Sequence, residues 1–89
     1  MTEPDAYESI YACVAVTPER DVQVGPVNSN EEALVVEEVM RERLAELVEA
    51  EDLIHEVDGQ IVGTEQWDTL HGEVLREGRA RYRRRSPAQ

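Results

Sequence analysis

Hydrophobic and polar positions first alternate in two short runs, then recur with a longer, helical period. "SIYACVAV" (9–16) is brief and rich in β-branched and aromatic residues, the make-up of a strand. "VQVGPV" (22–27) reads as its return, with "TPERD" as the turn and Pro18 presetting its first bend. A five-residue loop, Thr17 to Asp21, places Val16 opposite Val22 and Val14 opposite Val24. With Ile10 and Ala12 these residues make one apolar face. Pro26 removes a ladder donor, so this strand is expected to end there or to lie at an edge.

From residue 29 the period changes. Ser29 with Glu32 three positions on is a capping box, in which two orphan backbone donors are satisfied reciprocally. A helix is predicted from about Asn30 to Glu51. At about 100° per residue, Ala33, Val36, Met40, Leu44 and Leu47 share one stripe. Glu31, Glu38, Glu42 and Glu49 fall almost opposite, and Glu37 can pair with Arg41 at i,i+4. "LIHEVDGQIVG" (53–63) has two readings. Asp58-Gly59 between short apolar runs favours a hairpin; the imperfect alternation leaves open a first helix running on to about Val57.

"TEQWDTLHGEVLREGRARYRRR" predicts a second helix. Thr64 can cap it, and Glu65 and Asp68 suit the positive end of its dipole. Trp67, Leu70, Val74 and Leu75 supply the apolar stripe, which Gly72 weakens by roughly 1 kcal/mol relative to alanine. Gly78 is expected to end the helix in a left-handed cap, with Arg76 complementing the dipole. Past it the arginines form either a free tail or a helical extension in which Tyr82 continues the stripe. The expected fold class is α+β: a small antiparallel sheet, built from the N-terminal hairpin and a second hairpin, covered by two helices. Residues 1–7 are expected to be flexible, 8–77 to form a single small α+β domain, and 78–89 to form the basic tail or helix extension.

Composition narrows the class. A chain of 89 residues buries only about 60–65% of the surface its unfolded form exposes, so one small core is all it can build. A single cysteine, Cys13, allows no internal disulfide and no four-cysteine zinc site. The opening Met-Thr-Glu-Pro-Asp does not read as a secretion signal. The longest apolar run, Ile10 to Val16, is far short of the ~20 residues that a spanning helix needs. A cytoplasmic protein without a membrane segment is expected. Lysine is absent and glutamate far outnumbers aspartate, which fits a G+C-rich bacterial or phage genome better than a salt-loving cell.

The charge is sorted along the chain. Residues 1–75 carry 19 acids against three arginines, a balance of −16, whereas residues 76–89 carry six arginines against Glu77, a balance of +5. The net charge is −11. An acidic body with a docking end is implied.

"VQVGPVNSNEEA" (22–33) resembles the strand-turn-helix segment of SPOR domains, the peptidoglycan-binding modules. In that segment a Val-Gly-Pro turn leads to a serine and a Glu-Glu-Ala helix start. Val24, Gly25, Pro26, Ser29, Glu32 and Ala33 carry the likeness. That family usually has an aromatic where Val27 stands, and a full domain has two such halves where this chain has one. The resemblance therefore implies a local strand-to-helix join and no glycan-binding function.

No catalytic, metal or cofactor motif stands out, and none is expected. Cys13 lies among apolar neighbours and is expected to be a small packed side chain, although it points away from Val14. His55, Glu56 and Asp58 could contribute metal ligands near a turn, with His71 arriving from the second helix, but without the fixed spacing of a zinc site. The expected function is a non-enzymatic interaction module, a small adaptor or accessory protein. Arg79, Arg81, Arg83, Arg84 and Arg85 would dock on an acidic protein surface, including that of a second copy, around an apolar centre of Trp67, Tyr82 and any exposed part of the Leu70/Val74 stripe. One alternative is mimicry of a phosphate row by Glu31, Glu38, Glu42 and Glu49, roughly 6–10 Å apart along the helix, to occupy a nucleic-acid-binding protein. The other is nucleic-acid binding by the tail, less favoured because the acidic body repels phosphates within a Debye length of about 8 Å.

Overall fold

The computed structural model describes residues 9–85, which form a small α+β fold with two antiparallel strand pairs and three helices. The expected loose N-terminus lies outside the described residues. β1 (Ile10–Thr17) and β2 (Arg20–Val27) make the first hairpin. Its turn is tighter than expected: Thr17 pairs with Arg20, and the Thr17 hydroxyl accepts the Glu19 N–H at 3.2 Å. Val14 consequently faces Val22 and Ala12 faces Val24, one step of two residues away from the predicted pairing. A slip of two keeps every side chain on its own face, because strand faces alternate with period two. Ala12, Val14, Val22 and Val24 are therefore buried together as expected. Pro26 sits where the ladder shifts register between Ile10 and Ala12, so no ladder bond is lost to it.

The predicted 30–51 helix is two helices, α1 (Asn30–Glu42) and α2 (Leu44–Asp52), broken at Arg43. No proline or glycine marks the break. The Arg43 side chain instead spans it, with Nε donating to Glu46 at 2.7 Å and Nη1 to Glu73 of the last helix at 3.0 Å. The capping box forms: Ser29 accepts the Glu32 N–H at 3.1 Å, while the Glu32 carboxylate accepts the Asn28 N–H at 2.7 Å. α1 lies between the first hairpin and the last helix, so its buried face is wider than one stripe and takes in Val35 and Val39 with Ala33, Val36 and Met40. α2 contributes the fully buried Leu47 and Ala50.

β3 (His55–Val57) and β4 (Gln60–Val62) form the second hairpin around Asp58 (φ 52°) and Gly59 (φ 79°), the left-handed pair that an Asp-Gly turn supplies. It is a separate two-stranded sheet and almost wholly exposed, rather than a continuation of the first one under the helices.

α3 (Thr64–Arg85) runs straight through Gly78. The expected left-handed cap does not form, because Gly78 serves another purpose. It is buried where α3 crosses α1, and a Cβ there would lie 2.5 Å from Val36 Cγ2 and 3.0 Å from Val36 Cα. The arginines to residue 85 are thus a helical extension.

Candidate functional site

The α3 extension separates its arginines by helical angle. At about 100° per residue, Arg81 and Arg85 continue the buried face that carries Leu70, Val74 and Gly78. They meet α1 there. Arg81 donates to both carboxylate oxygens of Glu42 at 2.8 Å and to Glu77 at 2.8 Å; Arg85 forks onto Glu38 at 2.7 and 2.9 Å. Planar two-point pairs of this kind are the strongest guanidinium–carboxylate geometry. The Arg85 and Arg81 guanidinium groups hold Glu38 and Glu42 below the usual carboxylate range, and Arg81 and Arg85 are raised in turn by those carboxylates. All four groups are solvated, so their stabilising effect is screened by salt.

Arg76, Arg79 and Arg83 fall within about 60° of one another on a different face, with Gly72 one turn before them. They line a hollow of about 270 Å³ floored by Gly72 and Leu75. Arg79 is anchored: its Nη2 donates to the Pro26 carbonyl at 3.1 Å, and its Nε lies 3.9 Å from Glu32. Among the described residues Arg76 and Arg83 make no ion pair, although acids outnumber arginines twenty to nine in this chain. Arg84 is exposed and 3.7 Å from Glu77.

Of the expected apolar centre, only Trp67 and Tyr82 keep any exposed surface. Leu70 and Val74 are buried in the core, and Trp67 is half-buried against it, tilted on His71 at a centroid distance of 5.8 Å. Tyr82 is half-buried beside the arginines. The acidic row is likewise divided. Glu38 and Glu42 are occupied by Arg85 and Arg81, Glu31 stands exposed at the start of α1, and Glu49 lies beyond the Arg43 break on α2.

The remaining candidates stay apart. Among the described residues no three of His, Cys, Asp and Glu gather as metal ligands. His55 Nδ1 is 2.8 Å from the Leu53 carbonyl, whereas His71 Nε2 accepts the Gly25 N–H at 3.2 Å on the outer edge of β2. Cys13, expected to be packed, is exposed on the outer face of β1 because the core face takes Ala12 and Val14. Its thiol is raised by desolvation and then by Asp21, with Glu37 adding to it, which disfavours the thiolate. Its backbone N–H donates to Glu37 at 3.4 Å; with the His71 and Arg79 contacts on β2, side chains thereby occupy both free edges of the first hairpin. Among the described residues no helix is long and apolar enough to cross a membrane.

Arg76 is the functional candidate that the sequence reading assigned only to a helix end. Its i, i+3, i+7 spacing with Arg79 and Arg83 was the available signal. No protein-family model, curated protein or solved structure matches the chain.

Proposed function

We propose that the chain is a non-enzymatic docking module that grips an acidic protein surface through the Arg76/Arg79/Arg83 ridge of α3. One observation carries this reading: in a chain of charge −11, Arg76 and Arg83 make no ion pair with any described carboxylate. Unpaired guanidinium groups do not arise here for want of acids. A fixed Arg79 at the centre of the ridge lowers the ordering cost of binding. Guanidinium forks match carboxylates in two-point geometry. A carboxylate patch on a folded partner, a second copy included, touches the ridge alone. A nucleic acid extends its charge past the ridge and meets the acidic body within about 8 Å. Phosphate-row mimicry is less favoured, because two of its four carboxylates are already neutralised by Arg81 and Arg85.

The test is retention of partners from a lysate of the producing organism by the full chain and by the Arg76→Gln/Arg83→Gln variant, with and without nuclease. A nuclease-resistant protein lost with the variant, and bound in purified form through an acidic surface, is the expected result. Retention that survives the double substitution, or that disappears on nuclease treatment, rejects it.

A further inference from the structure

A second surface lies away from the ridge and shares no residue with it. Where α1 stops and α2 turns at Arg43, the end of β1 is left partly uncovered. Val16, Leu44 and Val48 line a hollow of about 590 Å³ there, with Ala45 making room between them and Leu53 closing one end. Leu53 also lines the neighbouring hollow, whose wall includes Ile61 of the second hairpin. Leu53 is thus common to the two hollows. Leu53 is 45% and Ile61 61% exposed, and Val16, Leu44 and Val48 are only half-buried. Single exposed apolar residues are ordinary, but several around one hollow with a polar rim are the usual mark of an interaction site.

The rim identifies the occupant. Glu49 and Asp52 border the hollow on α2. Asp52 shares Arg20 with Glu51, at 2.9 and 2.7 Å, whereas Glu49 has no ion-pair partner among the described residues. The rim and the surrounding −16 body favour cations. They also oppose a symmetric pairing of two copies, which would set Glu49 and Asp52 against themselves. α2 is nine residues long, roughly 13 Å of helix, so its flank accepts apolar side chains from about two turns of an opposing helix. We propose that this hollow is a docking groove for a cationic amphipathic helix of a partner protein, its apolar face on Val16, Leu44, Val48 and Leu53 and its basic flank on the unpaired Glu49.

The probe is a leucine–lysine amphipathic helix of about 18 residues, five turns, labelled for fluorescence anisotropy and titrated with the full chain. Its control is a scrambled peptide of the same composition and charge. Two variants separate the forces. Leu53→Glu adds negative charge, so attraction by charge alone makes it bind more tightly, whereas groove docking makes it bind at least about tenfold more weakly. Glu49→Gln is expected to weaken binding and to flatten its salt dependence. Preference for the amphipathic over the scrambled peptide, lost in Leu53→Glu, bears the proposal out. Equal binding of both peptides, tighter binding by Leu53→Glu, or occupation of the hollow by a second copy in sedimentation at the same concentrations overturns it.

Discussion

Gly78→Ala tests the placement of α3 on α1, on which the sorting of the arginines depends. Placing a methyl group there sets carbon 2.5 Å from Val36 Cγ2 and 3.0 Å from Val36 Cα, against a comfortable separation of about 3.5–4.0 Å. Val36 is fully buried in the core. Relief of the 2.5 Å contact alone calls for about 1–1.5 Å of movement at the crossing, which forfeits part of the contact energy of α3's neighbours. Overpacking of this kind costs about 1–3 kcal/mol. The same substitution also removes a glycine from a helix, a gain of about 0.8–1.0 kcal/mol. Gly72→Ala in the same helix isolates that gain, since the nearest atom to its added methyl is Arg76 Nη2 at 4.0 Å. The difference between the two variants is then the crossing itself, about 1–3 kcal/mol, or at least about 4 °C in midpoint temperature for a domain of this size. Thermal and urea unfolding followed by far-ultraviolet circular dichroism measure both. Equal stabilisation of the two variants would falsify the close crossing, and with it the register that brings Arg81 to Glu42 and Arg85 to Glu38.

Three further outcomes are expected. Leu47→Ala removes a fully buried side chain of α2 and should lower unfolding stability by about 2–5 kcal/mol in urea; a loss below about 1 kcal/mol would mean that α2 does not pack as described. Glu38 and Glu42 are held below the ordinary value of 4.5, so the unfolded chain binds more protons and their contribution, present above that value, is lost as pH falls through the folded values. Arg81→Gln/Arg85→Gln should therefore flatten the fall of the urea midpoint below about pH 4.5, and an unchanged slope would show the pairs to be absent in solution. Cys13 is exposed, so one thiol should be open to a disulfide reagent in the folded chain, slowly at neutral pH because its ionisation is raised; Asp21→Asn should speed it in part, and a thiol protected until unfolding contradicts the outward face of β1.

How far the fold could be read in advance follows from which forces act locally. The Ser29 cap, the Asp58-Gly59 turn and the alternation in β1 and β2 are set by residues close in sequence, and all three are present. The pairing of β1 with β2 was legible in parity only. Matching apolar faces excludes a shift of one residue but not a shift of two, and the Thr17–Glu19 hydrogen bond makes the choice. The break at Arg43 was not legible, because the local Arg43–Glu46 pair at i,i+3 is equally at home in an unbroken helix, and the contact that tells against one, Arg43 to Glu73 on α3, is 30 residues away in sequence. Gly78 misled for a related reason. A glycine near a helix end reads as a cap when only neighbours along the chain are considered, and as a crossing once Val36 is seen against it.

Once α3 is known to continue, the division of its arginines needs only their numbers. Val74 and Gly78 face α1, so Arg81 and Arg85, one and two turns on, must arrive over the same helix, where Glu42 and Glu38 stand. Arg76, Arg79 and Arg83 are rotated well away from that face and cannot reach those carboxylates. Charge segregation along the sequence is thereby converted into two physical roles. One set of arginines neutralises the acidic face of α1 and fastens the end of α3; the other stands on a separate face with no described acid beyond the distant Glu32 to satisfy it. The proposed partner binding would not require the helix end to come loose. Substituting Arg81 and Arg85 should lower stability and leave ridge binding largely intact, whereas substituting Arg76 and Arg83 should do the reverse. A single pattern of loss shared by both pairs would show the two roles to be one.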